Sequence, residues 1–134
     1  MTSDSPLLER SAIELRDDLA SGGLSAVDLT KACISRIEER ETEIGAWAWF
    51  DATYALRQAE ALDARRLSGM ARGPLHGLPV AVKDIIDTGG IPTENGCALD
   101  AGRVPDEDAV VVERLKAAGA VVLGKSVTTE LAFL

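Results

Sequence analysis

The sequence predicts an α/β fold, and three observations carry that prediction. Residues 80–86, Val-Ala-Val-Lys-Asp-Ile-Ile, form a short apolar run of β type. A helical pattern over 106–118 is followed by a second apolar run, Val121-Val122-Leu123. Strand, loop, helix and strand in that order indicate α/β organisation. The third observation lies upstream, where residues 11–37 read as two helices joined by a short glycine loop.

Taken in order, Ser11 and Glu14 make a capping-box pattern, and Leu15 and Leu19 are spaced i, i+4. Gly22-Gly23 stops that helix. Ser25 caps the next, with Asp28 at its positive end and Leu29, Ala32, Cys33 and Ile37 on one face. Cys33 on that face reads as a core residue rather than a reactive thiol. Trp47-Ala-Trp-Phe50 suits a short strand or tether, and Asp51 opens an Ala-rich helix that ends near Ser68-Gly69. Arg65 and Arg66 near its C-terminus complement the helix dipole. Residues 73–79 are turn-rich and lead into the 80–86 run. The six Gly and Pro positions of residues 87–105 predict an ordered, irregular loop. Asp106 is then expected to cap a helix, with Glu107 and Asp108 in its first turn. Val111, Val112, Leu115 and Ala118 would form its apolar face, with Gly119 just beyond its end. Thr128 to Leu134 reads as the start of a last helix.

At 134 residues the chain suffices for one modest domain, and 46% hydrophobic with 27% charged residues is globular composition. The formal net charge of −8 repels phosphate backbones and anionic membranes, and 4% aromatics leave little for base stacking. Neither nucleic acid nor a membrane is an expected partner. The start, MTSDSPLLERS, lacks the basic and apolar regions of a secretory signal. Cys33, Cys97 and the single histidine, His76, have no ligand spacing, so no metal or cofactor is expected. A reduced, cytoplasmic setting is the default.

Residues 119–126, Gly-Ala-Val-Val-Leu-Gly-Lys-Ser, match the Gly-x-x-x-x-Gly-Lys-Ser pattern of a phosphate-cradling P-loop. The context opposes a nucleotide site. A working loop follows a strand and precedes a helix, whereas here a helix precedes Gly119 and the four x positions are the strand itself. β-branched Val121 and Val122 also resist the conformations of an anion nest. Lys125 is then expected at a strand end, as a solvated or structural charge.

Lys83 is the more unusual lysine, since it interrupts an apolar β run. It either turns outward, snorkels or pairs with Asp84, which is the commoner arrangement, or it is desolvated. A desolvated lysine falls below its ordinary ~10.4 and serves as a base near neutral pH.

The segment Gly73-Pro-Leu-His-Gly-Leu-Pro-Val-Ala-Val-Lys83-Asp84 resembles the lysine segment of the amidase signature family. The likeness continues through Asp87-Thr-Gly89, Pro92-Thr93, Asp108-Ala109, Val111–Ala120 and Leu123-Gly-Lys125, and the two N-terminal helices fit that family's usual start. The resemblance implies a mixed sheet flanked by helices, the N-terminal and incomplete portion of one amidase domain spanning 1–134. Residues 1–70 would be mostly helical and 71–134 the α/β portion. It also implies amide hydrolysis by a Ser–cis-Ser–Lys triad in which Lys83 is the base. The cis-serine relays a proton from the nucleophilic serine to the neutral lysine, an acyl-enzyme forms, and water releases the acid.

The family's Gly-Gly-Ser-Ser-Gly segment and second serine motif are absent from these residues, and lone Ser126 does not replace them. The chain is therefore expected to be a truncated portion, inactive alone, with strands 80–86 and 121–124 lacking neighbours. The A subunit of an amidotransferase, which releases ammonia from glutamine to partner subunits, fits the same resemblance. So does a homo-oligomeric amidase acting on a small amide. A non-catalytic binding module belongs to a different class. Among the remaining residues, His76 suits loop packing. Asp84 either orients Lys83 or caps backbone, and Glu130 marks a helix first turn.

Overall fold

The computed structural model describes residues 6–133. Residues 1–5, the first part of the polar start, and Leu134, the last residue of the expected terminal helix, lie outside that range. Pro6–Glu9 form a single 3-10 turn. Helix α1 spans Ala12–Ser21, and its capping box is formed reciprocally by Ser11 and Glu14. Gly22 closes it with φ 83. Helix α2 spans Ala26–Ile44 behind the Ser25 cap. Two further N-terminal amides of α2, on Ala26 and Val27, donate to the Asp63 carboxylate at 2.9 and 3.0 Å. Asp63 belongs to helix α3, Ala52–Leu67, so one side chain ties two helices together. Arg65 near the end of α3 donates through Nε to the Ala71 carbonyl.

Between α2 and α3 lies strand β1, Trp47–Phe50. Strand β2 covers Pro79–Lys83, helix α4 Val110–Ala117 and strand β3 Val121–Ser126. The sheet order is β1-β3-β2, with β1 antiparallel and β2 parallel to β3. This is the mixed sheet flanked by helices that the resemblance implied. Leu15, Leu19, Leu29 and Ile34 from α1 and α2, with Ala55 and Ala59 of α3, pack against Val121 and Leu123 on one face. Val82, Val112 and Val122 form a smaller cluster.

Several local expectations change. β2 ends at Lys83, and residues 84–86 turn back, with the Ile86 amide donating to the Lys83 carbonyl at 2.9 Å. Strand β3 does not lack neighbours; it is central, and β2, like β1, has one neighbour among the described residues. Helix α4 begins three residues later than expected, behind Ala109, which makes no side-chain cap. The reason is tertiary. Asp108 accepts from the Gly89 amide at 2.7 Å and pairs with Lys116, while the Ala109 amide donates to the Asp87 carbonyl. Those bonds hold the chain extended where a local cap would coil it, and Val111 is left half exposed. The expected last helix is a 3-10 turn, Glu130–Ala132, in which Leu131 and Ala132 have positive φ.

Candidate active site

The site lies at the C-terminal ends of the parallel strands β2 and β3, the end of a parallel sheet where ligands ordinarily sit. Lys83 closes β2 in register with Ser126, and Val82 is in register with Lys125. Because side chains alternate along a strand, the two lysines leave the sheet on opposite faces.

Of the alternatives the sequence left open, Lys83 takes the outward one and Lys125 the structural one. Lys83 is exposed, because β2 is an edge and nothing among the described residues covers it. Its side chain makes no hydrogen bond or ion pair among the described residues, and it takes the outward arrangement, without the pairing to Asp84. Lys125 is fully buried. Its ammonium donates to the Ile86 carbonyl at 2.8 Å and to Thr93 Oγ1 at 2.6 Å, and lies 3.5 Å from Asp84 Oδ1. Burial holds its pKa below the ordinary lysine value, and the Asp84 carboxylate opposes that shift. Asp84 therefore pairs with Lys125, not with Lys83. Its other oxygen caps backbone by accepting from the Glu94 amide at 3.1 Å.

The loop from 84 to 109 is fixed by further charges. Asp87 and Arg103 form a two-pronged pair at 2.7 and 2.9 Å, and that guanidinium holds the Asp87 carboxyl below its usual range. Arg103 also donates to the Thr93 carbonyl. Between this loop and the end of β3 lies a shallow cavity of about 350 Å³ lined by Asp84, Glu94, Cys97, Val127 and Thr128. Glu130 accepts from the Cys97 thiol at 3.4 Å and opens a 3-10 turn, not an α-helix. Cys33 is half-buried against the core, and burial raises its thiol pKa.

The geometry rejects a phosphate cradle at 119–126. Gly119, at φ 91, follows α4, with its amide bonded to Lys116 and the Ala120 amide bonded to Leu115. That is a helix-terminating Schellman pattern. The Val121 amide donates to the Leu78 carbonyl and the Val122 amide to the Gln58 side chain, so neither can face an anion. Gly124 has a steric reason, since a Cβ there would clash with the Trp49 carbonyl oxygen. His76 is buried, with neither ring nitrogen hydrogen-bonded among the described residues, in a turn pinned to the α4–β3 junction, which suits packing.

A mixed sheet with a lysine at the end of its parallel pair, followed by an ion-paired loop, makes this an α/β segment. The sequence matches the Amidase family over residues 28–134, and the chain belongs to that family. It is 48% identical over 107 residues to the A subunit of the glutamyl-tRNA(Gln) amidotransferase of Chloroflexus aurantiacus, covering 80% of this chain and 22% of that protein. With the corresponding protein of Streptomyces coelicolor the identity is 43%, covering 96% of this chain and 26% of the relative. The native peptide amidase of Stenotrophomonas maltophilia superposes with a TM-score of 0.86 at 36% identity, over 93% of this chain and 26% of that one. The chain thus spans only 22–26% of the length of these proteins.

Sequence reasoning missed the buried role of Lys125. The available signal was a lysine held in the same strand as the apolar run Val121-Val122-Leu123. It also missed Gln58, whose side chain bonds both the amide and the carbonyl of Val122 at 3.0 and 2.9 Å.

Proposed function

We propose that this segment supplies the lysine base of an amide hydrolase, with Lys83 as one member of a Ser–cis-Ser–Lys triad whose serines lie outside these 134 residues. The observation that carries the reading is the position of Lys83. It stands at the C-terminal end of a parallel strand, exposed and without a side-chain partner among the described residues, in the segment Gly73–Asp84 that resembles the family's lysine motif. The chain that follows β2 and β3 carries exposed apolar side chains, including Leu99 at 94% and Phe133 at 81%. Such a surface suits cover by further chain. Cover of that kind would supply the desolvation a lysine base needs.

In the complete site the nucleophilic serine oxygen attacks the amide carbonyl, and its proton passes through the cis-serine to Lys83. The C–N bond then breaks, the amine leaves carrying a proton, and water cleaves the acyl ester. Backbone N–H groups stabilise the developing oxyanion. By itself the 134-residue chain is expected to hydrolyse no amide. In a protein of full family length that carries this segment, Lys83→Ala should lower kcat for simple amides by at least about 1,000-fold. Hydrolysis at near wild-type rate would refute the assignment.

A second reading is favoured by the identities of 43% and 48% to amidotransferase A subunits. In it the amide is the glutamine side chain, and the released ammonia is used by partner subunits. Glutaminase activity that rises when partner subunits are added would select it over a free-standing or homo-oligomeric amidase. Among the described residues no helix is long and apolar enough to cross a membrane. The free thiols of Cys33 and Cys97 suit a reducing, cytoplasmic setting.

A further inference from the structure

We propose that Lys125 is a positioning residue for Lys83, its buried ammonium serving as the centre around which the turn leaving β2 is wrapped. This rests on the reading of Lys83 as the base.

All three contacts of the Lys125 ammonium come from the chain that follows Lys83. It donates to the Ile86 carbonyl and the Thr93 hydroxyl and is ion-paired with the Asp84 carboxylate at 3.5 Å. Two of its three donors and its charge are thus committed to this loop. The bonds lead directly back to Lys83. The Ile86 amide donates to the Lys83 carbonyl, and the Asp84 amide donates to the Ser126 carbonyl. The Asp84 carbonyl in turn accepts from the Asn95 amide. The backbone on the C-terminal side of Lys83 is thus fixed by groups that converge on one buried charge. The Lys83 side chain has no partner of its own among the described residues, so backbone geometry alone aims it.

A purely stabilising role accounts for this arrangement poorly. A buried ion pair contributes little net stability over apolar residues of similar size. A lysine immobilised at 0% exposure also loses its side-chain freedom. A general base misplaced by about 1 Å, by contrast, costs on the order of 100-fold in rate.

The test uses the full-length protein that carries this segment, with a simple amide as substrate. Lys83→Ala, Lys125→Met, Thr93→Val and the charge-neutral pair Lys125→Met/Asp84→Asn are compared by kcat, KM and Tm. Lys125→Met is expected to lower kcat roughly 30-fold or more, with KM held within about threefold. Thr93→Val, which removes one acceptor in a nearly isosteric way, should lower kcat several-fold and lower Tm less than Lys125→Met does. The double variant should regain Tm without regaining kcat. Wild-type kcat in Lys125→Met, or recovery of kcat in the double variant, overturns the proposal. If Lys125→Met does not fold, wild-type kcat in Thr93→Val overturns it. Full activity in Lys83→Ala would instead remove the catalytic reading beneath it, and that outcome is separately visible.

Discussion

Two lysines, Lys83 and Lys125, meet opposite fates within a single strand pair. Lys125 exchanges all its hydration for protein acceptors, whereas Lys83, one register step away, stays in water. His76 is a third residue whose burial has a measurable consequence. Burial first, and then the Arg72 charge, hold its pKa below the ordinary ~6.5. Below that value the unfolded chain binds the proton more readily than the folded one. The contribution of His76 to stability is therefore complete above about pH 6.5 and is lost as pH falls through the folded value. Melting curves taken above and below that pH should show a drop in Tm on acidification that His76→Gln reduces. An unchanged drop would mean that other groups carry the acid sensitivity.

At the scale of elements, the ends of helices were largely legible. The Ser11–Glu14 box, the Ser25 and Asp51 caps and the Gly22 stop all depend on residues close together in sequence, and all are present. Gly119 was legible as a terminator for the same reason, and the fold adds a second demand on it. A Cβ at that position would lie 2.9 Å from the His76 Cα, in addition to the cost of φ 91. Gly119→Ala should cost about 1–3 kcal/mol, read from urea denaturation. The start of α4 was not legible. Asp106 to Asp108 look like a cap in isolation, but Asp108 is engaged by Gly89 and Lys116, 19 residues before it and 8 after it. A cap is a local competition, and a distant partner decided this one.

At the scale of the whole molecule, the helical half and the sheet are joined by polar side chains as well as by apolar packing. Gln58 of α3 acts as a substitute strand neighbour for Val122 at the point where the β2–β3 register shifts. Gln58→Leu would leave a buried amide and carbonyl unpaired and should cost about 2 kcal/mol or more. Amide hydrogen exchange at Val122 should accelerate more than at Val121, whose partner is the Leu78 carbonyl. Equal protection at both would show that the bridge contributes nothing.

The sequence by itself determined the caps of the first three helices, the glycine stops, the approximate place of the β2 and β3 strands, the α/β class and membership of the amidase family. Each of these rests on short-range spacing or on an ordered motif that survives without coordinates. It also singled out Lys83 by its place in that motif. Only the tertiary structure decided which lysine is buried. Burial depends on which strand is central and which loop folds over it, and two partners of Lys125 lie 32 and 39 residues away. No local pattern encodes that distance. The Lys125 ammonium enters the interior because the loop following Lys83 presents three oxygens to it, and those oxygens converge only when β2 and β3 are side by side.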